Sequence, residues 1–140
     1  MRSVLTLIAI TVLLVASAAA QENTNTTKSG VKYTDLKAGA GEQATRGSVV
    51  LVHYTGWLYV NGARSRQIDS SAGHDPLRFR LGSREVISGL DEGIEGMKLG
   101  GKRDLIIPPN MGYGAEDIEN GLIPPFSTLE FEVELVRITR

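Results

Sequence analysis

The chain has 140 residues, no cysteine and a formal net charge of −1 at neutral pH. The absence of cysteine excludes disulfides, thiol catalysis and thiolate metal sites. So small an excess of charge does not favour nucleic acid or an anionic membrane as a partner. A chain of this length is typical of one domain.

The first twenty residues have the pattern of a secretory signal peptide. Arg2 gives the N-terminus a positive charge, an apolar run covers residues 4–15, and the small residues Ala18 and Ala20 come shortly before Gln21. A membrane anchor is the less favoured alternative, because the apolar run is shorter than the ~20 residues that span a bilayer. We predict that residues 1–20 are cleaved on export, to the periplasm or the medium.

The next segment, residues 21–29, is rich in Asn, Thr and Ser. This composition predicts a flexible polar tether. One folded domain is then expected over residues 30–140.

Five segments of that domain alternate apolar and polar residues as β-strands do. They cover residues 31–36, 48–60, 76–82, 102–107 and 128–138. The segment "NGARSR" (61–66) predicts a turn with Asn61-Gly62 at its tip. Residues 108–127 predict a long loop rich in Pro and Gly.

One short helix is predicted within "EVISGLDEGIEGM" (85–97), where apolar residues recur at helical spacing at Val86, Leu90, Ile94 and Met97. Ser88 is the predicted N-cap, and Gly100-Gly101 are predicted to end the helix.

Three glycines interrupt this helix, and each costs about 1 kcal/mol against alanine in a helix interior. Gly89, Gly93 and Gly96 share one stripe, which indicates that another backbone or a ligand approaches closely there. A single helix can cover one face of a sheet. The predicted fold is therefore α+β, a five-stranded twisted antiparallel half-barrel wrapped around one short helix.

Five blocks of the chain follow one another in a fixed order: "VHYTGWL" (52–58), "IDSS" (68–71), "PLRFRLGSREVISGLDEGIEGMKLGGKR" (76–103), "PPNMGYGA" (108–115) and "IPPFSTLEFEVELV" (123–136). In this order they resemble the FKBP family of peptidyl-prolyl cis-trans isomerases, over about residues 29–140. The resemblance implies a twisted sheet around a short helix, with an apolar pocket between them.

The resemblance also implies a set of pocket residues. Tyr54 stands at the wall tyrosine and Asp69 at a buried carboxylate. The N–H of Ile87 and the hydroxyl of Tyr113 are expected to donate to ligand carbonyls, and Phe131 is the aromatic residue of the last strand. Further substrate-binding residues are expected at Ile68, Leu77, Glu85, Val86, Leu90, Leu122 and Ile123.

Three of these positions depart from the family's pattern. Ile68 stands where Phe is usual, Leu77 where an aromatic residue is usual, and Leu90 where a Trp usually forms the pocket floor. We expect Leu90 to weaken binding of the macrolide inhibitors of the family. The loop after Asp69 also lacks the usual Arg, so this carboxylate is expected to lack its charge partner.

The expected function is isomerisation of X–Pro bonds in proline-containing segments of exported proteins. The alternative is a non-catalytic or weakly catalytic FKBP-like binding module or chaperone. We expect no cofactor and no metal ion, since His53 and His74 lack metal-ligand spacing. The short tether leaves no room for a helical dimerisation arm, and we expect a monomer without a stable membrane anchor.

Overall fold

A computed structural model describes residues 23–139, and the predicted signal segment lies outside this range. The described chain forms seven strands and one α-helix. They are β1 (Thr24–Thr26), β2 (Lys32–Lys37), β3 (Val49–Val60), β4 (Ala63–Ser70), β5 (Leu77–Arg80), α1 (Ser88–Ile94), β6 (Lys102–Ile107) and β7 (Thr128–Thr139). This is the predicted α+β class, with an antiparallel sheet and one short helix.

The sheet is antiparallel throughout, with the strand order β1-β2-β6-β7-β3-β4. The long strand β3 organises it. One edge of β3 pairs with β7, while the other edge pairs first with β5 and then with β4. The five predicted strands are confirmed as β2, β3, β5, β6 and β7.

Two strands were not predicted. β1 lies within the predicted tether and pairs with β2, so the tether is part of the sheet at Thr24–Thr26. β4 starts directly after the turn at Asn61-Gly62, where the φ angles are 51° and 79°. The prediction of a turn through residue 66 was therefore wrong. β4 is an exposed edge strand. Most of its side chains are polar, so its sequence lacks the alternation of apolar and polar residues that predicts a strand.

The helix α1 is shorter than the sequence predicts. Ser88 is its first residue rather than its cap, because Ile87 occupies the N-cap position and no side chain caps the helix. The helix ends at Ile94, and Gly96 then turns the chain with φ 90°. Gly100-Gly101 therefore do not end it. None of the helices among residues 23–139 is long and apolar enough to cross a membrane.

Two glycines allow α1 to lie directly against β6. A Cβ atom on Gly93 would come within 2.7 Å of the Leu105 methyl groups, and one on Gly89 would collide with Ile107. The predicted close approach is confirmed at these two positions. Gly96 serves a turn instead.

Arg103 ties the end of α1 to the sheet. Its side chain is buried, and Nη1 donates to the carbonyl oxygens of Gly93 at 2.9 Å and Glu95 at 3.2 Å. Nε donates to Asp35 Oδ1 on β2 at 2.7 Å. One guanidinium thus satisfies carbonyls that a helix end leaves unpaired and fixes the helix beside the cavity described next.

Candidate active site

A cavity of about 550 Å³ lies between α1, the sheet and the loop after β6. All the predicted catalytic and substrate-binding residues line it, together with two that the sequence analysis missed, Ile118 and Glu119. The full lining consists of Tyr54, Ile68, Asp69, Leu77, Glu85, Val86, Ile87, Leu90, Tyr113, Ile118, Glu119, Leu122, Ile123 and Phe131.

Phe131, Ile123 and Leu90 are the most buried residues of the cavity wall, with 3%, 5% and 7% of their surfaces exposed. The rings of Phe131 and Tyr54 are tilted by 48°, with centroids 6.1 Å apart. Gly56, the cross-strand partner of Phe131, makes room for its ring, since a Cβ atom there would overlap ring atoms. A glycine inside a strand often marks such a close approach, so this signal was present in the sequence.

Tyr54 and Asp69 form a hydrogen-bonded pair at the mouth of the cavity. The Tyr54 hydroxyl donates to Asp69 Oδ2 at 2.7 Å, and the Ser70 N–H donates to Oδ1 at 2.8 Å. Burial and the neighbouring Asp69 raise the pKa of Tyr54 to about 12. The tyrosine therefore stays a donor at neutral pH and holds the carboxylate in place.

Asp69 differs from the sequence expectation in its burial. It was expected to be buried, yet it is exposed, because it lies on the edge strand β4. None of the ion pairs among residues 23–139 includes Asp69.

Two donors in the cavity wall have no partner in the described part of the chain. The N–H of Ile87 and the hydroxyl of Tyr113 donate to no group among residues 23–139. The carbonyl of Ile87 accepts from Leu90 N at 3.0 Å and Asp91 N at 3.2 Å, which fixes the Ile87 residue at the start of α1. Burial, with the charges of Asp69 and Glu119, raises the pKa of Tyr113. Both groups can donate to a ligand.

The segment that carries Val86 and Ile87 is held by carboxylates. Asp91 accepts hydrogen bonds from Gly82 N and Arg84 N, both at 3.1 Å. Glu85 Oε2 accepts from Arg80 N at 2.9 Å. These contacts of Asp91 to the loop before α1 have no signal in the sequence.

His53 and the described carboxylates do not form a metal site. No cluster of three or more metal-ligating side chains occurs among residues 23–139. His53 Nδ1 lies 2.9 Å from Ser71 Oγ, which also accepts from Tyr54 N at 2.8 Å. This group fixes the bend between β4 and the following loop behind the cavity.

Residues 40–136 match the family of FKBP-type peptidyl-prolyl cis-trans isomerases. The chain belongs to this family. It is 50% identical over 110 residues to a protein of Neisseria meningitidis serogroup B named FK506-binding protein, an alignment covering 78% of this chain and 96% of the relative. It is 40% identical over 127 residues to the chloroplastic isomerase FKBP16-4 of Arabidopsis thaliana, covering 88% of this chain and 54% of the relative.

Solved FKBP structures have the same fold. The peptidyl-prolyl cis-trans isomerase of Pseudomonas syringae superposes with a TM-score of 0.72 at 34% identity, over 86% of this chain and 84% of that one. FkpA from Escherichia coli gives a TM-score of 0.72 at 37% identity, over 86% of this chain and 54% of that one. The likeness therefore covers the sheet, the helix and the cavity together.

Proposed function

We propose that this FKBP-type chain accelerates the cis–trans rotation of X–Pro bonds and binds the prolyl ring in the cavity. The observation that carries the proposal is a pair of donors, Ile87 N–H and Tyr113 O–H, which have no partner among residues 23–139 and lie in a cavity lined mainly by aliphatic and aromatic side chains. Donors in such a wall can bind carbonyls of a peptide whose ring is surrounded by apolar side chains.

The chemistry requires no nucleophile. The C–N bond of a peptide has partial double-bond character and a rotation barrier of ~18–20 kcal/mol. The planar amide is more dipolar than the twisted transition state, so transfer from water to an apolar cavity favours the twisted state. A donor that binds the rotated carbonyl more strongly than the planar one lowers the barrier further.

Most residues of the cavity have a role in this proposal. Tyr54, Leu90 and Phe131 contact the prolyl ring, and Asp69 orients the Tyr54 hydroxyl and polarises the site. Ile87 and Tyr113 donate to carbonyls of the substrate. Five further apolar residues bind the segments on either side of the proline, namely Ile68, Leu77, Val86, Leu122 and Ile123.

Refolding of a test protein whose slow phase is prolyl isomerisation measures this function. The chain without residues 1–20 should accelerate the slow phase. Tyr113→Phe should lower kcat/KM by about 5–30-fold, the loss expected for one donor used in the transition state. Tyr59→Phe, outside this cavity, is the matched control, and Asp69→Ala tests the carboxylate. No acceleration by the unmodified chain would reject catalysis.

A second candidate function is peptide binding without efficient catalysis. It is favoured by aliphatic side chains at three cavity positions, Ile68, Leu77 and Leu90, which offer fewer aromatic faces to a prolyl ring. Binding of proline peptides by calorimetry without acceleration of refolding would support it.

Several relatives carry the name FK506-binding protein. We propose that macrolides of this class occupy the same cavity here, with affinity reduced by Leu90.

We also propose that residues 1–20 direct export. The support is their sequence pattern, a positive start, an apolar run and small residues before Gln21. Expression of the full chain in a bacterium, followed by fractionation and mass measurement, tests this. A processed chain outside the cytoplasm is expected, and an unprocessed cytoplasmic chain would contradict the proposal.

A further inference from the structure

Residues 117–123 form the tight tip of a loop beside the cavity. Four residues of this tip form a lip of the cavity, namely Ile118, Glu119, Leu122 and Ile123. Three consecutive residues have left-handed backbone, with φ angles of 49° at Glu119, 52° at Asn120 and 89° at Gly121. Residues other than glycine adopt this conformation at an energetic cost. The tip therefore needs interactions that hold it.

Some of those interactions lie within the tip. Ile118 N donates to Ile123 O at 3.1 Å, and Ile123 N donates to Ile118 O at 3.2 Å. Asp117 Oδ1 accepts from Gly121 N at 2.7 Å. These contacts fix the shape of the tip but not its position over the cavity.

Arg66 provides hydrogen bonds from outside the tip. It lies on the edge strand β4, and its Nη2 donates to Gly121 O at 3.0 Å and Leu122 O at 2.5 Å. Among the described residues, these are the hydrogen bonds that join residues 117–122 to a strand of the sheet. Arg66 does not itself line the cavity.

The two accepting carbonyls belong to the part of the tip that builds the lip. Leu122 and Ile123 face the cavity, and Ile118 and Glu119 line it on the other arm of the tip. A shift of the Gly121 and Leu122 carbonyls would therefore move apolar surface at the mouth. A guanidinium suits this contact because it is always charged and presents several donors in a fixed plane.

We propose that Arg66 is a positioning residue that holds this lip in the orientation that binds the residues beside the proline. The proposal builds on the function proposed above. It assigns Arg66 to substrate affinity rather than to the rotation step, because its hydrogen bonds go to Gly121 and Leu122 and not to Ile87 or Tyr113, the donors for the reacting amide.

The test compares Arg66→Met with Arg66→Lys and with the control Arg78→Met, which changes an exposed arginine on β5. Amide hydrogen exchange at Leu122 and Ile123, whose N–H groups are bonded within the tip, reports opening of the lip. For Arg66→Met, exchange there should rise and KM should rise, each by about 3–10-fold, the scale of a lost hydrogen bond to a charged group near water.

The kinetic pattern separates positioning from a general loss of structure. The kcat and the melting temperature of Arg66→Met should stay close to those of the unmodified chain, Arg66→Lys should recover part of the KM, and Arg78→Met should change neither. Unchanged exchange and KM in Arg66→Met would overturn the proposal. An equal effect in Arg78→Met would also overturn it, because bulk charge would then be the cause.

The exchange measurement also keeps the two proposals distinct. If the unmodified chain does not accelerate refolding, the proposed function fails. Faster exchange of the lip and weaker binding of FK506 in Arg66→Met would then still support Arg66 as the residue that positions the lip, whereas their absence would overturn it.

Discussion

Leu90 lines the cavity with an aliphatic side chain, and the proposed function places it at the floor beneath a bound ring. It lies in the first half of α1, and only 7% of its surface is exposed. In the proposed function, a ring bound above Leu90 meets a branched aliphatic side chain rather than an aromatic face. Aromatic contacts contribute both buried area and a favourable ring geometry, so we expect this side chain to limit the affinity for ring-containing ligands.

Leu90→Trp is expected to strengthen FK506 binding by about 3–10-fold, because the indole adds apolar contact area to the cavity floor. Calorimetric titration measures the change, with Leu99→Trp as control, since Leu99 is an exposed residue outside the cavity. A melting curve shows whether the larger side chain is accommodated. Unchanged affinity in a folded Leu90→Trp variant would mean that position 90 does not contact the ligand.

The elements that the sequence predicts well are those with one buried face. β7 buries Leu129, Phe131, Val133 and Leu135, as its alternation predicts. β4 has mostly exposed side chains, and its pairing with β3 comes from the hairpin turn rather than from a pattern of its own. The ends of the helix were predicted least well. The apolar residues continue at helical spacing to Met97, although α1 ends at Ile94 and the chain turns at Gly96.

The cavity residues were predictable because several motifs kept the family's order. Ile118 and Glu119 were missed because they lie in a loop with no repeating pattern. Arg66 was missed for a different physical reason. Its hydrogen bonds go to backbone carbonyls that are 55 and 56 positions away in the chain. Every residue has a backbone carbonyl, so the sequence does not indicate which one is an acceptor.

The close approach of α1 to β6 predicts the effect of adding a methyl group at Gly93. Gly93→Ala should improve intrinsic helix propensity by about 1 kcal/mol, yet the new methyl group would meet the buried Leu105 side chain at 2.7 Å. We expect a net loss of about 1–3 kcal/mol of unfolding free energy from overpacking. Urea denaturation measures it.

The same substitution in a Leu105→Val background provides the control. Removing one methylene group opens space beside position 93, so the added cost of Gly93→Ala should be smaller there. An equal cost in both backgrounds would show that the helix and β6 do not meet at this pair.

At the scale of the whole molecule, the sheet separates a cavity lined mainly by aliphatic and aromatic side chains from a charged outer face. Side chains alternate between the two faces of a strand, so Glu130 and Glu132 lie opposite Phe131. With Asp104 they surround one guanidinium, that of Arg64, whose Nη2 lies 3.5 Å from Asp104, 3.0 Å from Glu130 and 3.6 Å from Glu132. Arg64 also stacks over the Trp57 ring at 3.8 Å.

Three carboxylates share this one cation, and the charge of one of them, Asp104, changes with pH. Burial, followed by the hydrogen bond and charge of Glu130, raises the pKa of Asp104 from 3.8 to about 7. Well below pH 4 this group is protonated in both the folded and the unfolded chain. Between pH 4 and 7 the unfolded chain releases the proton and the folded chain keeps it, so the contribution of Asp104 to stability falls as the pH rises.

Asp104→Asn removes this titration and keeps a side chain of the same shape. We expect the variant to match the unmodified chain near pH 4 and to exceed its unfolding free energy by on the order of 1–2 kcal/mol at pH 8. Urea denaturation at several pH values measures the difference, with Glu134→Gln, whose side chain is 44% exposed, as control. Parallel stability curves from pH 4 to 8 would contradict a raised pKa at Asp104, because a group with an ordinary pKa is ionised in both states over most of that range.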